Sequence, residues 1–304
     1  MCGVSGILYK KVDSENLAPI GADLVKMLEA LAHRGRDSTG VTVVGEQYPE
    51  DLILRLWVES ANGYDDIFDK IERKLSGFGV SIRSRKTVGQ FLRLTVAYQG
   101  DHRRLAEELA DIEGVEVHSI GETSEVIKDV GTARTLDKKH HISELTGTHG
   151  IGHVRLATES RVDISHSHPF WAHPFADITV VHNGQLTNYH KMRRKYEDMG
   201  YQFHTGNDSE FIAVYLADKL AQNVTLKDSL RDALTDLDGT FTFLVSTKEG
   251  LGYAKDQWSA KPLVTMETEE VVAIASEEVA LRSVFPEELE RFEPQEDEVM
   301  TWSI

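Results

Sequence analysis

Apolar positions along this chain follow two rhythms, one spaced for strands and one for helices. Cys2-Gly3-Val4-Ser5-Gly6-Ile7-Leu8-Tyr9 reads as a short strand, and its two glycines let another backbone or a ligand come close. Leu24, Met27, Leu28 and Leu31 share one stripe, which predicts a helix over about 21–33. A glycine-flanked polar loop, His33-Arg34-Gly35-Arg36-Asp37-Ser38-Thr39-Gly40, leads into a strand at 41–44. Between about 50 and 122 the order changes to strand 52–58, helix 64–75, strands 80–88 and 91–98, helix 102–112 and strand 115–120. Gly89-Gln90 between two alternating strands predicts a hairpin, and β-α-β-β-α-β is the order of a ferredoxin-like unit. From 148 onward the pattern predicts strands at 149–157 and 178–182 and helices at 189–199, 209–221 and 226–237. Strands at 240–246, 250–255 and 271–275, a helix at 277–284 and a strand at 298–304 follow. Alternating blocks of strands and helices predict an α+β fold in which sheets pack together with helices outside. The predicted division is one domain over 1–48 and 123–304, with 49–122 an inserted ferredoxin-like subdomain. A spacer or a docking module for another chain is the role expected of that insert.

Composition narrows the class. Of 304 residues, 40% are hydrophobic and 27% charged, as in a soluble globular protein. The net charge of −17 argues against nucleic-acid binding and against an anionic membrane surface. No apolar run approaches the ~20 residues that span a bilayer, and the N-terminus lacks the pattern of a signal peptide. A single cysteine permits no internal disulfide, which suits a reducing compartment, and a cytoplasmic location is expected.

That cysteine is residue 2. Removal of Met1 would leave it with a thiol and a free α-amine, a nucleophile and a general base on one residue. A free thiol titrates near ~8.5 and an α-amine near ~7.7–8.0. Arg155 lies in the apolar run Gly152-His153-Val154-Arg155-Leu156-Ala157-Thr158. A buried arginine needs a partner, either a ligand carboxylate gripped by its fork or an internal acid. Asn183-Gly184 ends the run Val180-Val181-His182. It offers the donors of an oxyanion hole, or it is an ordinary turn. Asp208, in Gly206-Asn207-Asp208-Ser209-Glu210, either caps a helix or receives an ammonium group. Lys261-Pro262-Leu263 reads as a wall rather than a reactive group. His166, His168 and His173 are considered as metal ligands and set aside, because a metal needs geometry and not merely nearby imidazoles; no metal or other cofactor is expected on this chain.

Taken in order, Cys2-Gly3-Val4-Ser5-Gly6, the His33–Gly40 loop, Gly152–Thr158, His168-Pro169-Phe170, Val181-His182-Asn183-Gly184, Asn207-Asp208-Ser209-Glu210, Asp238-Gly239-Thr240-Phe241 and Lys261-Pro262-Leu263 resemble the class II glutamine amidotransferases. The resemblance covers about 1–45 and 148–285. It implies the N-terminal-nucleophile hydrolase fold, a four-layer α-β-β-α sandwich, with L-glutamine as substrate. It further implies Cys2 as the nucleophile and Asn183 with the Gly184 N–H as oxyanion donors. Arg155 would hold the substrate carboxylate and Asp208 its ammonium, with Thr158 lining the carboxylate end and Arg34 ordering the site. Leu156 and Glu159 depart from the pattern of many members, which puts the pocket's edge in question. The chain also resembles the free-standing glutaminase subunit of split glutamate synthases and N-methylglutamate synthase. By that likeness ammonia would pass to synthase subunits carrying flavin and iron–sulfur centres, which one cysteine cannot itself ligate. Two other readings stay open: an amidohydrolase acting on another amide, and a non-catalytic regulatory subunit.

Overall fold

The computed structural model describes residues 2–12, 16–45, 51–59, 64–157, 162–287 and 290–304. The chain opens with β1 (Gly3–Tyr9), α1 (Ile20–Ala30) and β2 (Ser38–Val44). Next come β3 (Asp51–Val58), α2 (Tyr64–Gly77), β4 (Ser81–Val88), β5 (Phe91–Ala97), α3 (His102–Ala110) and β6 (Val115–Gly121). Then follow β7 (Ser124–Val130), α4 (Ala133–His140), β8 (His149–Arg155), β9 (Phe170–Trp171) and β10 (Thr179–Leu186). Three helices come next, α5 (Tyr189–Asp198), α6 (Asp208–Ala221) and α7 (Leu226–Asp236). The chain closes with β11 (Gly239–Thr247), β12 (Gly250–Lys255), β13 (Val264–Glu267), β14 (Val271–Ala275), α8 (Glu278–Val284), β15 (Arg291–Phe292) and β16 (Val299–Ser303).

Two antiparallel sheets form the body, ordered β15-β13-β14-β1-β8-β2-β7 and β16-β12-β11-β10-β9. Their central strands β1, β8 and β11 are buried on both faces, as strands covered on both sides must be. In β1, Val4 and Leu8 join Val181, Leu244 and Leu251 of the second sheet in one core. Ile7 points the other way, into a core with Leu24, Met27 and Leu28 of α1 and with Leu136 and Leu281. A matching core lies between the second sheet and α5, α6 and α7, built on Phe211, Tyr215, Leu230 and Phe243. The layers are therefore α-β-β-α, the expected four-layer sandwich.

The 51–121 segment forms its own antiparallel sheet, ordered β4-β5-β3-β6, with α2 and α3 packed over it through Phe68, Ile71, Leu75, Leu105 and Leu109. This is the strand order of a ferredoxin-like unit. Val126 and Trp171 of the body complete its core, and Arg55 and Arg93 both pair with Glu125 of β7 at 2.6 and 2.8 Å. Asp177 accepts the N–H groups of Glu122, Thr123 and Ser124, tying down the return junction.

The sequence pattern predicts no element between 123 and 148, yet β7 and α4 lie there. In β7 the inward positions include Glu125, Lys128 and Asp129, all buried, so ion pairs stand where a strand pattern expects apolar side chains. In α4 only Ala133 and Leu136 supply an apolar stripe, too short to read as a helix.

Candidate active site

The head of β1 meets the ends of β8 and β10 at a cavity of about 360 Å³ lined by Cys2, Arg34, Arg155, Asn183, Gly184 and Asp208. Six of the seven residues singled out from the sequence thus converge, and the seventh, Thr158, lies outside the described residues. Register explains the meeting. β1 pairs antiparallel with β8, Gly3 opposite Val154, so Cys2 stands beside Arg155-Leu156. The Leu156 N–H donates to Cys2 Sγ at 3.4 Å, and the thiol lies 3.6 Å from the Leu156 carbonyl.

The Cys2 carbonyl accepts from Arg34 Nε at 2.8 Å and from Asn183 Nδ2 at 3.1 Å. Arg34 Nη1 also grips Glu277 at 2.5 Å, and His33 reaches the same carboxylate at 2.9 Å. Charge-assisted bonds of this kind fix the backbone ahead of β1. Ser276 Oγ receives the N–H of Val4 at 2.9 Å and lies 3.3 Å from Asn183 Nδ2. On the other side His153 Nε2 lies 3.2 Å from Asn183 Oδ1. An amide oxygen only accepts, so this ring nitrogen carries the proton and orients the amide.

Gly184 has a φ of +139°, and a Cβ there would sit 2.1 Å from the Thr240 carbonyl, so only glycine fits. Loop 33–40 clasps the end of β8. Asp37 N–H donates to the Arg155 carbonyl at 3.0 Å, and its carboxylate accepts the Ala157 N–H at 2.8 Å. A Cβ on Gly35 would lie 2.4 Å from Arg155 backbone. Arg155 itself is buried where it reaches the cavity.

Asp208 is the first residue of α6. The cap is Asn207, whose side chain accepts the Ser209 N–H at 2.9 Å, so the capping alternative for Asp208 goes to its neighbour. Asp208 Oδ2 accepts the Leu186 N–H at 2.9 Å, and Oδ1 lies 3.5 Å from His182 Nδ1. Burial acts to raise its pKa. The His182 imidazole and the N–H groups of Leu186 and Ser209 outweigh this and hold it below the ordinary carboxylate range. A charged carboxylate therefore faces the cavity.

Beneath these groups lies a layer of buried imidazoles whose mutual contacts the sequence does not show. His153 and His168 stack at 4.0 Å, and His168 Nε2 and His182 Nδ1 each lie 2.9 Å from Ser209 Oγ. Burial pushes His153 down to about 3 and His168 well below its usual value, so both are neutral. The three histidines weighed as metal ligands are held apart in their bonding: His166 pairs with Asp163 and His168 with Ser209. No group of three or more candidate metal ligands forms among the described residues. No helix among them is long and apolar enough to cross a membrane.

Comparison with known proteins places this architecture. Residues 153–283 match the glutamine amidotransferase domain family. A protein of Methanothermobacter thermautotrophicus, provisionally named a glutamine amidotransferase, is 39% identical over 97% of this chain and 98% of its own length. The glutamine amidotransferase-like protein GlxB of Rhizobium meliloti is 34% identical over 99% of this chain and 98% of its own. The chain belongs to the class II glutamine amidotransferases, and it is an enzyme of glutamine hydrolysis. The glutamine phosphoribosylpyrophosphate amidotransferase of B. subtilis shares the fold at a TM-score of 0.61 and 19% identity, covering 99% of this chain and 47% of that one. A second structure, of an allosteric regulatory enzyme of purine biosynthesis, gives a TM-score of 0.63 at 20% identity. The chain spans about half the length of these two solved structures.

Proposed function

We propose that Cys2, once Met1 has been removed, is the nucleophile that cleaves the side-chain amide of L-glutamine. The observation that carries this reading is the shared cavity. One reactive thiol faces, across it, an arginine and a charged Asp208 placed to take an amino-acid head group. The α-amine of Cys2 takes the thiol proton as sulfur attacks the amide carbon. The carbonyl π electrons move to oxygen, and Asn183 Nδ2 with the Gly184 N–H stabilises that oxyanion. Collapse returns the proton to the departing nitrogen, ammonia leaves, and a γ-glutamyl thioester remains on Cys2. Water, deprotonated by the same amine, then releases glutamate and the thiol. Arg155 grips the α-carboxylate and Asp208 the α-ammonium, and Thr158 lines the carboxylate end. Arg34 acts through the Cys2 carbonyl and is a positioning residue.

The ammonia acceptor is a synthase of the flavin and iron–sulfur type on a separate chain. The resemblance to the free-standing glutaminase subunit of split glutamate synthases is what supports this reading. Docking of that synthase is the role proposed for the 49–122 unit.

Intact mass before and after exposure to a diazo-ketone analogue of glutamine tests the nucleophile. The expected result is a chain lacking Met1 that gains one adduct at Cys2, blocked by glutamine and absent in Cys2→Ala. A processed chain that stays unlabelled while hydrolysing glutamine would overturn the assignment.

A further inference from the structure

Removal of Met1 makes Cys2 the first residue of the chain, and chain ends are poorly ordered unless something ties them down. Strand pairing does not reach it. β1 begins at Gly3, opposite Val154 of β8, and its register with β14 begins only at Ser5, opposite Ala275. The hydrogen bonds of the Cys2 thiol among the described residues go to the Leu156 backbone, at 3.4 and 3.6 Å. The Cys2 carbonyl is held more closely, by Arg34 Nε at 2.8 Å and Asn183 Nδ2 at 3.1 Å.

Two consecutive residues after β14, Ser276 and Glu277, stand behind these bonds. Ser276 continues the ladder. Its N–H donates to the Val4 carbonyl at 3.0 Å, and its hydroxyl takes the Val4 N–H at 2.9 Å. Glu277 occupies the N-cap of α8, where a side chain ordinarily bonds the first N–H groups of its own helix. Its carboxylate bonds none of them. It turns to the 33–40 loop instead, accepting from Arg34 Nη1 at 2.5 Å and lying 2.9 Å from His33 Nε2. Burial acts to raise the pKa of Glu277, but the bonds to Arg34 and His33 outweigh this and keep the carboxylate charged. Arg34 is buried, lines the glutamine cavity and packs over β1, where a Cβ on Gly3 would lie 3.3 Å from Arg34 Cδ.

We propose that Glu277 is a positioning residue for the nucleophile and acts through Arg34. A guanidinium carries five donors in a rigid fork. With Nη1 fixed by Glu277, Nε is aimed at the Cys2 carbonyl. Fixing that carbonyl fixes the residue that carries both the thiol and the α-amine, so sulfur and base keep their places against the amide carbon. Reactions between groups held in this way are sensitive to small misplacements. The head group is left to Arg155 and Asp208, so losing Glu277 lowers kcat and leaves KM for glutamine nearly unmoved. The inference rests on the reading of Cys2 as the nucleophile.

Steady-state kinetics of a double-mutant cycle on the full chain test this. Glu277→Ala is expected to lower kcat for glutamine hydrolysis about tenfold or more, with KM changed by less than about twofold. Glu277→Gln keeps an acceptor for Arg34 and should recover part of the loss. Arg34→Met keeps an apolar stem over Gly3 and removes the guanidinium. In that background Glu277→Ala is expected to lower kcat no further. A role confined to the stability of α8 would lower kcat equally in both backgrounds. That equal effect, or a kcat for Glu277→Ala within about twofold of the parent chain, would overturn the proposal. Should Glu277→Ala fail to fold, Glu277→Gln carries the same cycle. Cys2→Ala separates the two levels of the argument. Hydrolysis retained in Cys2→Ala would overturn the nucleophile and its brace together, whereas hydrolysis lost there, with an additive cycle, would overturn the brace alone.

Discussion

At the residue scale, the oddity of a side chain in its surroundings decided what could be read from the sequence. Cys2, Arg155, Asn183 and Asp208 each break the pattern around them, and each lines the cavity. The groups that hold them do not stand out. His153 and Ser209 sit in buried runs, and Ser276 reaches Val4 across 272 residues of chain, so only folding brings them together. Asn183 illustrates the consequence. Its amide is oriented by His153 on one side and by the Cys2 carbonyl and Ser276 on the other. Asn183→Ala is expected to lower kcat by about 10²–10³, with KM for glutamine little changed, as for loss of one oxyanion donor. His153→Phe removes the donor that fixes the amide and is expected to lower kcat about tenfold at near-constant KM. His153→Gln, which keeps an N–H donor, should recover most of that loss. Arg155→Ala moves the other parameter and raises KM. Steady-state kinetics of the four variants check the division. A KM rise in His153→Phe matching that in Arg155→Ala would mean a collapsed pocket rather than a misoriented amide.

At the element scale, long periodic segments were legible, and the inserted β-α-β-β-α-β order could be read before its sheet was known. What the pattern could not show was how that unit is fastened. The fastening is polar, and buried charge looks like surface in a sequence. Glu125 carries both Arg55 and Arg93, and all three side chains are at most 18% exposed. Burial would raise its pKa, but the two guanidinium groups hold it down at about 2. Breaking such a cluster leaves unpaired charge, at a cost of roughly 3–5 kcal/mol. Glu125→Gln is therefore expected to lower the unfolding free energy from urea titration by roughly 3–5 kcal/mol, whereas exposed Arg83→Ala should change it by less than about 0.5 kcal/mol. Equal, small effects would mean that the insert is held by its apolar contacts alone. The same seam makes excision of 50–122 a poor test of docking, because it would bare Trp171 and Val126 and strand Glu125. Charge reversal at Arg83 and Lys86, exposed on β4 at the edge of its sheet, leaves the seam intact. It is expected to weaken synthase binding in a pull-down and to spare glutamine hydrolysis.

At the scale of the whole molecule, the sandwich buries an unusual number of neutral imidazoles, and this sets its response to acid. Burial lowers His149 to about 4 and His153 and His173 to about 3, and it lowers His168 further below its usual value. His149 also bonds Thr148 Oγ1 and the Thr247 carbonyl, each at 2.8 Å. In the unfolded chain each of these histidines titrates near ~6.5. Below that pH the unfolded state binds protons that the folded state refuses, so the folded state loses stability as pH falls. Each histidine removes up to about 2 kcal/mol between pH 6.5 and 5, a large share of the roughly 5–15 kcal/mol that holds a typical domain. Depressed carboxylates act in the same direction but later. Glu125 and Asp208 stabilise the fold above the unfolded carboxylate range and lose that contribution only as pH drops through it toward their folded values. Acid unfolding should therefore come in two stages, a histidine stage beginning near pH 6.5 and a carboxylate stage below about 4.5. Calorimetric melting from pH 7.5 to 5, in buffers of different ionisation enthalpy, measures both the fall in Tm and the protons taken up. Burial lowers His118 as well, so about four to five protons per unfolding event are expected at pH 5. His173→Phe should reduce that number by about one and flatten the Tm profile. A Tm that holds level across this range would show that the histidines protonate in place, and that the layer beneath the glutamine cavity opens to water without unfolding.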